Sequence, residues 1–500
     1  MSNLVGIDLG TTYSVIAQLD KTGRPVIIAN KDGDNITPSI VLFESKTNSI
    51  VGRPAMQSYG INKNVFGRFK RAMGTNKNYE AFGEKYSPTD LSTIVIKKLK
   101  DDAEQSIGKI SEAVVTIPAN FANEARDATL TAAKGAGLEI KNIINEPTAA
   151  AIYYAFSSGD DLNGIYAVYD LGGGTFDISI IKVKGSDIEV INVDGSNKLG
   201  GDDFDDLLIE IVQKKYKKKE GKDLIAEDFT KNHAEEYKRT LSTRDQIAIR
   251  IESVRTTIDV TRKEFEDAIS TLIVQSEIAC ENAVDDAKIS IDDIKQVILV
   301  GGSTRMPCIQ KSVKKIFKKE PKTFGNPDET VALGAALYVA YKADPSTLTA
   351  LQLKTISKVN ISEVTNSYFG TKIVDTDPET GEVIDKNDTV IKKGEKLPCS
   401  VVKEYFTISD NQTGINCDVT ESNVEEIDPE FVKTIWEGAL EVPEGRPAGQ
   451  KIEVTFSYDE NQIMKCSFLD VASKKKKDVD LSIDDKSSNP KIDINDFKVE

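Results

Sequence analysis

Residues 6–19 read GIDLGTTYSVIAQL, and residues 169–183 read YDLGGGTFDISIIKV. Each stretch predicts a strand that ends near an aspartate, a glycine-rich turn and a second strand. The two aspartates, Asp8 and Asp170, hold equivalent places in the two stretches and lie 162 residues apart. A lone Asp-Leu-Gly carries no information, but two copies between strands indicate an internal duplication.

The duplication extends beyond these turns. Residues 113–156 and residues 296–341 each run from a strand through a helix to a proline-containing acidic turn and an alanine-rich helix. Up to about residue 344, strands alternate with long helical stretches, which predicts an α/β domain. Two related lobes in one chain imply a cleft between them, and such a cleft is a usual place for a ligand.

The pattern changes near residue 345. From residue 363 to residue 485, short alternating runs are broken by turn sequences such as DPETGE and SDNQTG, which predicts an all-β sandwich. We therefore expect a first domain at 1–344, a linker at 345–362, a β domain at 363–485 and a polar tail at 486–500.

Composition excludes several classes of function. The chain has 64 basic and 80 acidic residues, a net charge of −16, which argues against a nucleic-acid partner. His233 is the single histidine, and the five cysteines show no close pairing, so neither a His-based triad nor a zinc site is expected. The sequence has no transmembrane window and no leader-like start. We therefore expect no membrane partner and a cytoplasmic location.

The glycine-rich turns suit phosphate chemistry. Glycine allows backbone amides to approach a phosphate closely, and threonine hydroxyls add further donors. The aspartates repel phosphate, so their expected role is to hold Mg²⁺, which prefers carboxylates, waters and phosphate oxygens. A third turn, VILVGGSTRMP at 297–307, supplies another wall of the cleft, and Arg305 could stack its guanidinium group on an adenine.

Six motifs together resemble one family: DLGTTYS, INEPTAAA, YDLGGGTFD, LGGDDFD, VGGSTRMP and NPDETVALGAA. They resemble the 70-kDa heat-shock chaperone family (DnaK type), which belongs to the actin and sugar-kinase superfamily, and the resemblance runs from about residue 5 to about residue 484. It implies an actin-like (ribonuclease H-like) two-lobed ATPase domain followed by a β-sandwich peptide-binding domain.

The resemblance also implies a slow ATPase that uses ATP, ADP and Mg²⁺, with K⁺ as a further candidate cation. Lys70 matches the lysine that neutralises the γ-phosphate, and Glu146 matches the carboxylate beside the attacking water. Asp170 and Asp177 match the family's metal-water and catalytic aspartates. The implied catalytic set is Asp8, Lys70, Glu146, Asp170, Thr175 and Asp177, with Asp8 and Asp170 holding the metal largely through water.

The implied nucleotide pocket has a phosphate side and an adenosine side. The phosphate side comprises Gly10, Thr11, Thr12, Tyr13, Gly172, Gly173, Gly174, Gly200 and Gly201. The adenosine side comprises Glu235, Lys238, Arg239, Ser242, Gly301, Gly302, Ser303, Arg305 and Asp328.

The elements that couple the two domains depart from the family pattern. Pro118 and Arg126 match the family's proline switch and arginine relay, but Asn120 replaces an aromatic residue and Leu130 replaces a lysine. SKVNISEVT replaces the leucine-rich linker that usually ends in aspartate. We therefore expect peptide to stimulate ATP turnover only weakly.

For the β domain, the resemblance implies that Val374, Tyr405, Ile408, Ile415 and Cys417 line a groove for extended hydrophobic segments of unfolded polypeptides. For Ile415 and Cys417, an ordinary place in the core is an equally good interpretation. The fifteen residues after 485 are too few for the family's helical lid, so we expect a divergent, lidless member. A J-domain co-chaperone and a nucleotide exchange factor are the implied partners, and stress response is the implied setting.

Two other functions stay open. One is a nucleotide-binding co-chaperone or scaffold with little hydrolysis. The other is an actin-like or sugar-kinase-like ATPase that polymerises or phosphorylates a small molecule.

Overall fold

The computed structural model describes residues 3–158, 163–185, 187–357, 360–376, 382–459, 463–481 and 497–500. The chain divides into two compact units. Unit 1 comprises Met1–Ile361 and Lys486–Glu500, and unit 2 comprises Ser362–Asp485.

The first half of unit 1 contains β1 Asn3–Asp8, β2 Tyr13–Leu19, β3 Pro25–Ile27, β4 Thr37–Pro38, β5 Ile40–Phe43, β6 Asn48–Val51, α1 Arg53–Met56, β7 Val65–Gly67, β8 Tyr79–Ala81, β9 Glu84–Tyr86, α2 Pro88–Ile107, β10 Ile110–Ile117, α3 Asn123–Gly135, β11 Ile140–Asn145 and α4 Glu146–Ser158. The second half contains β12 Asn163–Leu171, β13 Phe176–Lys184, β14 Asp187–Ser196, α5 Gly201–Glu220, α6 Lys231–Leu241, β15 Gln246–Ile251, β16 Thr256–Thr261, α7 Arg262–Ala268, α8 Ser270–Asp286, β17 Ile294–Val300, α9 Pro307–Phe317, α10 Thr330–Lys342, α11 Ala350–Ile356 and β18 Asn360–Ser362.

Two main sheets of unit 1 share one arrangement. In the first sheet the strand order is β11-β10-β1-β2-β3, and in the second it is β17-β12-β13-β14-β18. β1 pairs antiparallel with β2 and parallel with β10, just as β12 pairs antiparallel with β13 and parallel with β17. The predicted duplication is therefore confirmed, and both aspartate turns lie at the same end of their hairpins.

Two alanine-rich helices, α4 and α10, pack closely against each other beside β1. Every residue from Thr330 to Ala340 in α10 is buried, because small side chains let the helix approach its neighbours. A Cβ atom at Gly334 would lie 1.7 Å from the carbonyl oxygen of Ala149. Only glycine at this position permits the helix contact.

Most of the predicted linker lies in unit 1. A 3₁₀ helix spans Pro345–Thr347, and α11 and β18 follow it. Ile361 packs against the apolar cluster that contains Ile298 and Leu337. The sequence 350–356 forms a helix because Thr349 and Gln352 make a capping box that satisfies its first amides.

Unit 2 contains β19 Tyr368–Thr376, β20 Val383–Ile391, β21 Cys399–Phe406, β22 Gly414–Ser422, β23 Lys433–Glu441, β24 Lys451–Tyr458, β25 Met464–Asp470 and β26 Lys476–Asp480. They form two antiparallel four-stranded sheets, β20-β19-β22-β23 and β21-β24-β25-β26. Both sheets contribute to one core, which includes Phe369, Val419, Phe456 and Phe468. Within the described part of this unit there is no helix.

The last described residues do not match the polar tail that we predicted. Lys498–Val499 forms a strand, β27, that pairs parallel with β6 in unit 1, and Phe497 is buried. A two-residue strand is too short to produce a periodic pattern, so no strand is predicted here from the sequence. Residues 482–496, which include most of that prediction, lie outside the described residues.

Among the helices of the described residues, none is both long and apolar enough to cross a membrane. All five cysteines are free thiols.

Candidate functional site

A cavity of about 430 Å³ opens in unit 1 where the aspartate turns of the two sheets meet. Most of the residues that we predicted to bind nucleotide line it: Asp8, Gly10, Thr11, Thr12, Tyr13, Lys70, Glu146, Asp170, Gly172, Gly173, Thr175, Gly201, Glu235, Lys238, Arg239, Ser242, Gly301, Gly302, Ser303, Arg305 and Asp328. Gly174, Gly200 and Asp177 do not line the cavity itself. They lie beside it or beneath it.

At one end of the cavity, acidic side chains surround a single lysine. Lys70 lies in the 3₁₀ helix Phe69–Ala72, and its Nζ donates a hydrogen bond to Oε1 of Glu146 at 2.5 Å. Glu146 is the first residue of α4, and both side chains are almost fully buried. Asp170 and Asp177 are opposite residues on β12 and β13. This end therefore holds more negative than positive charge.

Burial, with this excess negative charge adding to it, raises the pKa values of three aspartates. Burial raises the pKa of Asp8 to about 7; Glu146 adds to the rise and Lys70 opposes it. Burial and then Glu146 raise the pKa of Asp177 to about 8, although the backbone N–H of Asn120 donates to its Oδ1 at 3.2 Å. Burial, Glu146 and Asp177 hold the pKa of Asp170 well above its usual value. These carboxyl groups resist full ionisation unless another cation is present.

Carboxyl groups in excess over one lysine fit a divalent cation. Their oxygens are the ligands that Mg²⁺ prefers, and the cation would relieve the repulsion that raises their pKa values. In the described part of the chain, no three acidic, histidine or cysteine side chains are grouped closely enough to hold a metal directly. The arrangement suits a hydrated cation held through water and phosphate oxygens, and both Asp8 and Asp170 line the cavity.

The three glycine turns lie close to one another in the cavity wall. Gly301 has a φ of 80°, and a Cβ atom there would lie 2.4 Å from the carbonyl oxygen of Leu171. Ser303 donates its hydroxyl to the carbonyl oxygen of Gly172 at 2.9 Å, so the third turn is tied to the second. Gly174 lies against Thr11 and Arg71, which brings the first and second turns together.

Another part of the cavity wall carries a network of charged side chains from α6. Lys238 donates to the carbonyl oxygen of Gly201 at 2.6 Å and pairs with Asp205 at 2.7 Å. Arg239 pairs with Glu235 at 2.6 Å, and its guanidinium group lies over the ring of Tyr13, 5.3 Å from the centroid. The aliphatic and planar parts of these side chains form a wall suited to a flat base.

Arg305, which we predicted to stack on an adenine, is held by two neighbouring side chains. It donates to Oδ2 of Asp328 at 3.0 Å and to Oδ1 of Asn326 at 2.6 Å. These bonds hold the planar guanidinium group in a fixed orientation on the cavity wall.

Sequence reasoning missed an ion-pair network that joins the two halves of unit 1. Nε of Arg68 donates to Oδ1 of Asp202 at 2.5 Å, and Nη2 lies 3.3 Å from Oε2 of Glu235. Arg71 pairs with Asp202 and Asp203, and Lys231 also pairs with Asp202. The paired acids in LGGDDFD were a usable signal, but only the glycines of that motif were assigned a role.

The predicted coupling residues lie directly behind the carboxylates. Arg126, on α3, donates to the carbonyl oxygens of Phe121 and Ala119 at 2.9 Å each and to Oδ1 of Asn145 at 3.4 Å. Asn145 immediately precedes Glu146. The loop that begins with Pro118 is therefore bonded to Asp177 through Asn120 and to the start of α4 through Arg126.

In unit 2, the predicted groove residues differ in exposure. Val374 and Ile408 are exposed, and Tyr405 and Ile415 are half-buried. Tyr405 donates its hydroxyl to Oδ2 of Asp388 at 2.7 Å. Cys417 is only 1% exposed and belongs to the core. This burial agrees with the alternative interpretation of Cys417 as an ordinary core residue, and its groove position stays a prediction.

One comparison with known proteins bears on this geometry. A family model described as Hsp70 protein matches residues 4–82 and residues 75–498. The match covers almost the whole chain, including every residue of the cavity. The order of the motifs, the duplicated sheets and this match agree, and the chain belongs to the Hsp70 family.

Proposed function

We propose that this chain is an ATP-dependent molecular chaperone that hydrolyses ATP to ADP and phosphate and binds extended hydrophobic segments of unfolded polypeptides. Membership of the Hsp70 family supports a chaperone ATPase and nucleotide binding with Mg²⁺ in general. The observation that carries the more specific proposal is a single cavity whose wall includes Lys70, Glu146, Asp8 and Asp170 as well as Lys238 and Arg239.

In this proposal, hydrolysis depends on positioning and on neutralising charge. Lys70 leaves or shares its bond with Glu146 to approach the terminal phosphate, and Glu146 then accepts a hydrogen bond from the attacking water. Asp8 and Asp170 would hold Mg²⁺ through water, and when bound the cation supplies positive charge next to the phosphates. Thr175 and the glycine turns orient the phosphate chain, while Glu235, Lys238, Arg239, Ser242 and Arg305 enclose the adenosine.

Exposed apolar side chains support peptide binding in unit 2. Nine of the sixteen exposed large hydrophobic residues in the described part of the chain lie in this unit, which is under a quarter of the length. Val374, Phe406 and Ile408 are among them. Such exposure in a folded unit is typical of an interaction surface, and unpaired strand edges offer backbone groups to an extended peptide.

For the family arrangement we propose an actin-like ATPase domain, a linker and a β-sandwich peptide-binding domain. The predicted partners, a J-domain protein and a nucleotide exchange factor, and the cytoplasmic location belong to this proposal.

The deciding experiment is release of phosphate by the purified chain with Mg²⁺ and ATP. We expect slow, steady release by the wild-type chain and none above background by Lys70→Ala. Lys98→Ala is the matched control, because Lys98 also forms a buried ion pair, 2.6 Å from Asp102, and it lies outside the cavity. That control should lose stability and keep ATP turnover.

Other outcomes would contradict the proposal. Tight nucleotide binding with equal, negligible phosphate release from all three proteins would favour the co-chaperone or scaffold function. Sedimentation of the chain with ATP would favour an actin-like filament. Turnover that neither a J-domain protein nor a model peptide changes would indicate a stand-alone ATPase.

A further inference from the structure

The segment 497–500 forms the outermost strand of a small sheet in unit 1. The sheet order is β27-β6-β5-β7. The N–H of Lys498 donates to the carbonyl oxygen of Thr47 at 2.9 Å, and the N–H of Glu500 donates to that of Ser49 at 2.9 Å. In return, the N–H of Val51 donates to the carbonyl oxygen of Glu500 at 2.8 Å. The segment therefore pairs with backbone groups on the outer edge of β6.

An aromatic pocket holds the side chain of Phe497. Its ring meets the ring of Phe43 edge to face, with centroids 6.1 Å apart and an interplanar angle of 83°. Phe43 is itself stacked on Tyr86 and meets Phe66 at an angle. Phe497 is 6% exposed and is part of the core cluster of this half of the unit.

Val499 is the second apolar side chain of the segment 497–500 that packs into the core. It packs against the same cluster and pairs in register with Ser49, while the Lys498 side chain is largely exposed. Aromatic and aliphatic side chains two positions apart face the core, as expected for a strand with one buried face. The site thus recognises a pattern, aromatic-X-aliphatic, through pockets and recognises the backbone through hydrogen bonds.

We propose that the edge of β6 and the pocket around Phe43 are a peptide-binding site in unit 1, and that its ligand is the chain's own segment 497–500. This is strand addition, in which main-chain bonds supply affinity and alternate side chains supply specificity. The chain thus returns to unit 1 after unit 2, so unit 2 is connected to unit 1 on both sides. Because the ligand is covalently attached, it excludes free peptides of the same pattern through its high effective concentration.

Two substitutions in the full-length chain test the site. Phe497→Ala empties the pocket, and Lys498→Pro removes the N–H that bonds to Thr47. We expect the Val51 amide to exchange hydrogen at least about tenfold faster in both variants, because local opening exposes it. Phe431→Ala is the matched control, since Phe431 is 73% exposed in unit 2, and it should leave that exchange unchanged.

Adding the ligand back in trans completes the test. The probe is a fluorescent peptide of residues 491–500, KIDINDFKVE. We expect saturable binding to the Phe497→Ala chain, binding at least about tenfold weaker to the wild-type chain, and renewed protection of residues 47–51. A peptide with alanine in place of the phenylalanine should not bind at this edge. Protection at 47–51 separates this site from the proposed peptide site in unit 2, so either can fail alone.

Three results would overturn the proposal. The first is equal exchange at Val51 in the wild-type chain and both variants. The second is equal peptide binding by the wild-type and Phe497→Ala chains. The third is a dimer of the wild-type chain that dissociates on either substitution, which would show that a second copy supplies the strand. Circular dichroism establishes whether each variant is folded. If Phe497→Ala is unfolded, hydrogen exchange at Val51 in Lys498→Pro still tests the site.

Discussion

Arg68 and Asp202 join the two halves of unit 1, with Nε of the arginine 2.5 Å from Oδ1 of the aspartate. Both side chains are at most 8% exposed. Arg68 has a left-handed backbone with a φ of 61°, which is uncommon for a residue other than glycine. Although burial opposes it, Arg68 and then Lys231 lower the pKa of Asp202. The pair is therefore a fully charged contact beside the cavity.

Removing Arg68 should weaken the contact between the two halves of unit 1. Arg68→Ala leaves the buried carboxylates of Asp202 and Glu235 with less positive charge beside them. A buried charge without a compensating partner destabilises the fold. We expect ADP to dissociate about tenfold faster, corresponding to about 1.4 kcal/mol. Stopped-flow release of a fluorescent ADP analogue measures this. Arg250→Ala, in an exposed pair with Glu252, should release ADP at the wild-type rate. A lower melting temperature with unchanged ADP release would count against a role for the pair in holding the cavity closed.

The raised pKa of Asp177 should make stability depend on pH. The folded chain keeps this proton up to about pH 8, whereas an unfolded aspartate loses it near pH 4. The unfolded state therefore binds fewer protons between these values, and stability falls as pH rises through that window. Between pH 5 and pH 8, we expect the free energy of unfolding of Asp177→Asn to rise relative to that of the wild-type chain by up to about 4 kcal/mol.

Urea unfolding without nucleotide or Mg²⁺ measures the difference at each pH. Asp223→Asn is the control, because its side chain is 79% exposed, and its difference from the wild-type chain should stay nearly constant. The same constant difference for Asp177→Asn would show that burial of this carboxyl group does not oppose its ionisation.

Gly334 should tolerate no side chain. A methyl group there meets the carbonyl oxygen of Ala149 at 1.7 Å, so α4 and α10 must move apart. We expect Gly334→Ala to destabilise unit 1 by about 1–3 kcal/mol or more, as for other overpacked cores. Gly414→Ala, where nothing lies within 4 Å of the new atom, should change the free energy of unfolding by less than about 0.5 kcal/mol. Equal effects would contradict the close helix contact.

Peptide should stimulate ATP turnover weakly. The loop after Pro118 is bonded to Asp177 through Asn120, so the proposed catalytic groups are within its influence, but Asn120 and Leu130 depart from the family pattern. We expect a short hydrophobic peptide to raise the steady-state rate less than about twofold, below the roughly fivefold effect of a typical allosteric coupling. A several-fold rise would contradict this expectation.

Much of unit 1 could be predicted from local sequence. The two hairpins β1–β2 and β12–β13 follow from strand-forming residues around glycine turns, which are short-range features. The positions of Asp8 and Asp170 at equivalent hairpin ends, and hence a shared cavity, follow from the repeat. Family motifs then supplied the other predicted site residues, most of which line that cavity.

The rest depends on contacts between residues far apart in the chain. Arg68 meets Asp202 across 134 positions, and β27 pairs with β6 across about 450 positions. No periodic pattern encodes such contacts, because they depend on how separate elements pack. Cys417 and Ile408 show the same limit: both are predicted groove residues, and packing alone buries one and exposes the other.

The duplicated α/β unit, the β unit and the family are evident from the amino-acid sequence alone, because hydrophobic periodicity and turn chemistry are local. The ion pair that joins the two halves beside the cavity, and the return of Phe497 to the core of unit 1, are visible only in the folded chain. Both are long-range pairings, whose free energy arises from burial that exists only once the fold has formed.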